Sequence, residues 1–590
     1  MGSMSGVTGG RQRSTGAQVA VSVLAVVIAL AVGVGISATV IGLDVQGAQA
    51  NAKRAKSSAD IGNMPELIES VKALQSDVRG LATYTASPAW FITKHIPAVG
   101  APVKTASVLT TSANQLSESA NGFIDLAGQL DQEKSDGSGQ LIPAEVLNGL
   151  GPASEQLAVG LQTFTDDMAG IEIGAVFGPL QARAQDALDR ANELLPEITL
   201  LMRTMPSMAV LLGSQGPQTW FVALQNGGES RGTGGLVGSF SIIEMNQGAA
   251  VPTKIGPNGD LTAKANPMVV PADSRQLWSP ARLAEIYGVN FSPNYPYAGQ
   301  LLSSLWENQS GAAPNAVLAL DQRATVKLIE ATGGFTVDGV AVTGANAFQL
   351  LTVDVYAMFD DAGKDAFVTK VIQQLMQEIT AGSVAPITLA SVLAESVLDR
   401  SLFLWAQDAA IQQQLAPSLI SGEVPATDGP FAMAVVNNNA GNKMDTFLYT
   451  SVNYAPGECV PGGRRGTISV ELFNNPPPPS QLPPTVGGRG DRPQWGLSRE
   501  GDGSNRVRLA IYLPKGAFIG DAQPQELFTG VERDHPVAMF GVEMNKGERK
   551  TVTLDFTQFG NSALLNQKPT VLAQPMLNPQ EITVGQGSAC

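Results

Sequence analysis

Glu229 and Arg231 stand two residues apart within QTWFVALQNGGESRGTGGLVGSFSIIEMNQG (residues 218–248), flanked by Asn226 and Thr233 and by glycines at 227, 228, 232, 234, 235 and 238. One guanidinium beside a run of glycine amides can cradle an anion, because glycine lets main-chain N–H groups approach a ligand closely. In this reading Arg231 contacts phosphate, Thr233 and the amides of Gly234 and Gly235 support it, and Glu229 acts as general base or metal ligand. The competing reading is a glycine-rich hairpin whose arginine ties the loop down on main-chain carbonyls. A second patch is NFSPNYP, where Asn290 and Tyr297 could hydrogen-bond and stack a sugar at the entry to a helix, and where Asn294 is placed to cap that helix. Glu229 with Asp260 is the carboxylate pair available for Mg²⁺, or for glycoside hydrolysis if the two stood about 5 to 9 Å apart.

The elements that must position these groups follow from periodicity. Trp220 to Leu224 is continuously apolar and predicts a buried strand, with Phe240, Ile242 and Met245 on the returning one. A strand over Ala316 to Leu320, a helix over Gln322 to Thr332 and another over Lys364 to Ile379 continue an α/β layered domain, spanning residues 213–429, whose ligands would lie beyond strand ends. Before it, Leu67, Val71, Leu74, Val78 and Leu81 recur at helical spacing, as do stripes through Leu109 to Leu130, Leu157 to Ile171 and Leu180 to Leu194. They predict a helical stalk or bundle over residues 44–212, with a possible second use as a surface for a protein partner. After it, alternation at Ile468 to Leu472, Val507 to Leu513 and Val552 to Phe556 predicts a β-sandwich over residues 430–590. Arg489-Gly490-Asp491 spells an adhesion tripeptide and is assigned no role.

Composition narrows the chemistry. A net charge of -15 argues against a nucleic-acid footprint, which needs a basic face. The two histidines, His95 and His535, and the two cysteines, Cys459 and Cys590, leave carboxylates, hydroxyls and arginines as the reactive groups. The cysteines either remain thiols or close one disulfide, the latter suiting an oxidising exterior.

Val19 to Leu43 is almost wholly Val, Ala, Ile, Leu and Gly, and as a helix would reach about 37 Å, enough to cross a bilayer. The expectation is a retained anchor over residues 18–43, with residues 1–17 cytoplasmic and the bulk outside the cell membrane. A cleaved signal peptide ending at Ala48-Gln49-Ala50 is the alternative. Flanking charge does not set the orientation, since Arg11 and Arg13 precede the run and Lys53, Arg54 and Lys56 follow it.

The segments NGGESRGTGGLVGSF, NFSPNYPYAGQLLSSLW and LIEATGGFTVDG resemble the domain-of-unknown-function family 4012, a membrane-anchored family common in high-GC Gram-positive bacteria. The order strand, acidic-x-arginine turn, strand, helix and GG turn is more distantly similar to the LytR-CpsA-Psr phosphotransferases. That likeness implies an enzyme or binder acting on polyprenyl-pyrophosphate-linked glycopolymers outside the membrane with Mg²⁺, Glu229-Ser230-Arg231 taking the acidic-x-arginine positions. Two parts of that pattern are missing here: Gly232 to Gly238 holds no carboxylate and VDVYAMF (residues 353–359) holds no arginine. Their absence favours a second function class, a non-catalytic envelope scaffold that has kept a glycan groove.

Overall fold

A computed structural model describes residues 50–57 apart from 52 and 56, 64–96, 100–132, 140–169, 199–492 apart from 201, and 501–590. The apolar run at 19–43 and the stripe through Leu180 lie outside these residues; among the described ones, no helix is long and apolar enough to cross a membrane. The chain is a mixed α+β, multidomain protein. It divides into two units: Met1–Pro217 with Asn246–Ala249 and Thr380–Glu395, and the remainder.

In the first unit, helices α1 (Met64–Thr85), α2 (Pro88–Thr93), α3 (Gly100–Ser119), α4 (Asn121–Gln132) and α5 (Ala144–Ala169) follow the breakers in the sequence. Their stripes are what they bury: Val71, Leu74 and Val78 of α1, Leu109, Ala113 and Leu116 of α3, and Leu157, Leu161, Phe164 and Met168 of α5. Gln75, caught inside, donates to the Ser117 carbonyl at 2.9 Å and to Asn121 Oδ1 at 3.1 Å.

The second unit opens with the hairpin β1 (Gln218–Arg231) and β2 (Gly234–Asn246). The glycine-dense stretch is thus strand rather than loop, and only Gly232 and Thr233 turn the chain. Its glycines serve close packing: a Cβ on Gly235 would stand 2.1 Å from the Asn226 carbonyl oxygen, and one on Gly227 would stand 2.7 Å from Leu577. The register shifts twice, between Leu224 and Gln225 and between Asn226 and Ser230, which bends the hairpin's far end. β3 (Ala249–Pro257) follows, then α6 (Ala272–Trp278), α7 (Pro280–Leu283), α8 (Tyr295–Ser310), β4 (Ala316–Leu320) and α9 (Gln322–Ala331). β5 (Phe335–Val337) and β6 (Val340–Val342) form a separate small hairpin, and β7 (Leu402–Ala406) completes a mixed sheet in the order β3-β2-β1-β4-β7. Phe221 and Phe240 stack across β1 and β2 at 5.7 Å, with Trp306 of α8 tilted against both.

Residues from 431 onward build the two sheets of a sandwich. One runs β12 (Phe518–Gln523), β15 (Arg549–Phe559), β10 (Gly463–Asn474), β9 (Leu448–Val460), β17 (Glu581–Val584). The other runs β13 (Phe528–Glu532), β14 (His535–Met544), β11 (Asn505–Tyr512), β8 (Phe431–Asn438), β16 (Thr570–Leu572). The alternating residues Ile468, Val470, Leu472, Val507, Leu509, Ile511, Val552, Leu554 and Phe556 all enter the core between them. The opposite face of β8, β11 and β14 is buried too: Met433, Val435, Ala510, Tyr512 and Met539 share a core with Phe221, Phe240, Tyr295 and Trp306. The boundary drawn near residue 430 therefore separates two sequence patterns that fold around common apolar contacts. Cys459 and Cys590 are joined as a disulfide that ties the final residue to β9. Arg489-Gly490-Asp491 is folded inward, with Arg489 buried and bonded through Nε and Nη2 to the Asp491 carboxylate.

At this shared core sits Glu532, buried, accepting from Tyr512 Oη at 2.5 Å, Ser292 Oγ at 3.1 Å and Trp278 Nε1 at 3.2 Å. Burial raises its carboxyl above the ordinary value of 4.5, against the opposing effect of the Tyr512 hydrogen bond. A raised folded value means that the folded state holds a proton that the unfolded state has released, so stability falls as pH climbs through that window. Glu532→Gln is expected to remove this dependence and to add about 1–3 kcal/mol at neutral pH. Urea titrations of both proteins from pH 4.5 to 8 measure it, and parallel stability curves would refute it.

Candidate functional site

Arg231 does not face solvent. Its side chain is 6% exposed, Nε donates to the Tyr287 carbonyl at 3.1 Å, Nη1 to the Ser230 and Asn438 carbonyls at 2.8 and 3.4 Å, and Nη2 to Glu229 Oε1 at 3.3 Å. Phe291 covers it at 5.1 Å. A guanidinium making four hydrogen bonds is a bolt: it fixes the 282–291 loop to the end of β8. Glu229 is equally committed, because its second oxygen takes Lys443 Nζ at 3.2 Å. Burial would raise the Glu229 carboxyl, but Lys443 and Arg231 outweigh that and hold it below the usual carboxylate range. With each carboxylate oxygen on a cation, Glu229 does not fit the role of Mg²⁺ ligand. Asp260 shares no partner with it; the Asp260 carbonyl accepts from Gln309. Among the described residues, no group of three His, Cys, Asp or Glu side chains could hold a metal ion.

The other expected positions also pack within the fold. Asn226 donates to Tyr356 Oη at 3.2 Å and accepts from the Gly228 amide at 3.0 Å. Asn290, Thr233 and Gly235 come together, Asn290 Nδ2 reaching Thr233 Oγ1 at 3.2 Å and the Gly235 carbonyl at 2.8 Å. The Gly234 backbone sits at φ +132°, against the Gln225 side chain. Asn294 occupies the residue before α8 without capping it; its Oδ1 takes the Val424 amide at 2.9 Å instead. Tyr297 is buried, and burial, with Glu532 and Asp273 nearby, pushes its hydroxyl up to about 12.

A groove of about 590 Å³ lies elsewhere in this unit, walled by Val326, Phe348, Leu398, Leu577 and Pro579 and carrying three cations, Arg323, Lys327 and Arg400. Helix α9 positions the first two. Asp321 caps it by accepting from the Arg323 and Ala324 amides, and a spacing of four puts Arg323 and Lys327 on one face. Asp321 holds the Arg323 fork through Nε at 2.9 Å and Nη2 at 2.7 Å, and Asp399 holds Lys327 Nζ at 2.5 Å. Arg400 has no such partner. It is 9% exposed, its Nε and Nη2 bond to nothing, and its nearest favourable neighbour is the Phe403 ring at 5.1 Å. Burial, then the Arg323 charge, lowers its guanidinium to about 10. The backbone at Arg400 is strained as well, with φ +61° in the left-handed region that favours glycine. An uncompensated, buried and strained arginine on a concave surface is the arrangement expected of an anion receptor.

With this geometry in view the chain can be compared with known proteins. Residues 215–356 match the family described as protein of unknown function (DUF4012). No curated protein and no solved structure matches the chain. The DUF4012 stretch carries the hairpin, α8, β4 and α9, and so contributes Arg323 and Lys327 to the groove, whereas Arg400 and the wall at Leu577 and Pro579 come from outside it. The sequence signal for the groove was the D-Q-R-x-x-x-K pattern opening α9, an acidic cap followed by two cations on one helical face.

Proposed function

We propose that the chain is a membrane-anchored, extracytoplasmic protein of the cell envelope that binds the phosphate end of a polyprenyl-linked glycan in the Arg323, Lys327 and Arg400 groove. One observation carries this reading: Arg400, whose Nε and Nη2 are unbonded and which has no carboxylate partner, lines a groove in which Val326, Phe348, Leu398, Leu577 and Pro579 stand beside Asp399, Gln574 and Gln580. The unpaired guanidinium suits a phosphate, and the Val326, Phe348, Leu398 and Leu577 surfaces suit the adjoining hydrocarbon. The apolar run at 19–43 supports the anchor, and the Cys459–Cys590 disulfide suits an oxidising exterior. Binding rather than phosphoryl transfer fits the groove, because the acid once cast as general base, Glu229, is bound to Lys443 and Arg231.

The full chain in detergent micelles, titrated with a polyprenyl diphosphate and with the uncharged polyprenol, tests this through tryptophan fluorescence. Saturable binding of the diphosphate, at least tenfold tighter than the alcohol, is expected. Equal affinity for the two would leave the cationic groove without the assigned role.

A further inference from the structure

A second set of orphaned polar groups lies on the outer end of the β8, β11 and β14 face. Arg508 of β11 pairs in register with Asn437 of β8 on one side and with Gly541 of β14 on the other, so all three occupy one row of the sheet. Asn437 is 2% exposed; its Nδ2 donates to the Phe291 carbonyl at 3.2 Å, and its Oδ1 has no donor. Arg508 is half-buried and, among the described residues, forms no ion pair, while Arg506 and Arg282 act on it with like charge. Gly541 places no side chain in the row, and Leu527 stands 3.3 Å from where its Cβ would be. Beside this row the Arg231 bolt holds the loop bearing Tyr287, whose ring is 53% exposed.

A cation lacking an anion, next to a buried acceptor lacking a donor, is completed by a ligand bearing both an anionic oxygen and a hydroxyl. The geometry points to a binding site for an acidic sugar residue at Asn437 and Arg508, the anionic group on the Arg508 guanidinium, a hydroxyl donated to Asn437 Oδ1, and the sugar ring against Tyr287. A carboxylate, as in a uronic acid, and a phosphate ester meet Arg508 by the same chemistry. Neutral sugars leave the charge unanswered. Like charge from Arg506 and Arg282 supports the preference for an anion, since burial and these two arginines lower the Arg508 guanidinium from its ordinary value. This site shares no residue with the Arg400 groove and stands without it.

Calorimetric titration of the full chain with trigalacturonate, with a glucose phosphate ester and with maltotriose as the neutral control tests it. An acidic sugar is expected to bind saturably and with salt sensitivity, at least tenfold tighter than maltotriose. Arg508→Gln is expected to weaken that binding at least tenfold. Asn437→Asp should do the same, because the new carboxylate takes the guanidinium for itself. Binding at this site is read as the component that Arg508→Gln removes, which separates it from the groove. Which acidic sugar binds identifies the anion. Failure of both acidic sugars to bind, affinity equal to that of maltotriose, or affinity unaltered by Arg508→Gln overturns the assignment.

Discussion

Arg231→Ala is expected to destabilise the protein by about 3–5 kcal/mol, the cost typical of removing one member of a buried, hydrogen-bonded charge set. Truncation takes this donor from the part-buried Tyr287 carbonyl and the buried Asn438 carbonyl, and leaves Glu229 with Lys443 alone. The loop that Arg231 fastens to β8 should loosen first, so amide exchange in residues 282–291 rises before global unfolding. Arg231→Lys keeps the charge but loses the fork, and should recover only part of the stability. Urea unfolding measures the first effect and hydrogen exchange the second. An alanine variant of native stability that bound anions weakly would return Arg231 to a ligand site.

Arg400→Met is expected to do the opposite to stability. At pH 7 the guanidinium is charged in both states, and its folded value near 10 lies below its ordinary one, so the unfolded chain binds the proton more tightly. The penalty is therefore fully present below pH 10 and is relieved only as pH rises above it. Replacing the side chain by an apolar one of similar reach should stabilise the unliganded protein by about 1–3 kcal/mol, the usual cost of a buried donor left unbonded. Arg400→Gly removes the charge and also the strain at φ +61°, which for other residues costs about 1–2 kcal/mol. Gain in stability with loss of binding is the signature of a residue retained for function.

Much of the framework could be read from the chain because apolar period is local information. The stripes at Val71, Leu74 and Val78, the run at Trp220 to Leu224 and the alternation at Ile468, Val470 and Leu472 all mark buried faces. The fate of Arg231 could not be read the same way. Its partners are carbonyl oxygens 56 and 207 residues away, and main-chain acceptors carry no residue signature. Glycines that suggested backbone approach to a ligand serve approach to Asn226 and Leu577. The groove was hidden for a related reason, since Arg400, α9 and the wall at Leu577 come from three distant segments. Nothing in L-D-R-S announces a left-handed arginine, and the shared core that brings the sandwich to the hairpin is invisible to a boundary drawn from period alone.

Isothermal titration of farnesyl diphosphate into the full chain and into its Arg400→Met variant, with melting temperatures taken on the same samples, tests the role of the groove directly. Affinity should fall about 10- to 100-fold in the variant, as loss of a charged two-point hydrogen bond implies, while its unliganded melting temperature rises. Unchanged affinity in a stably folded Arg400→Met protein would contradict the assignment of the groove as the anion site.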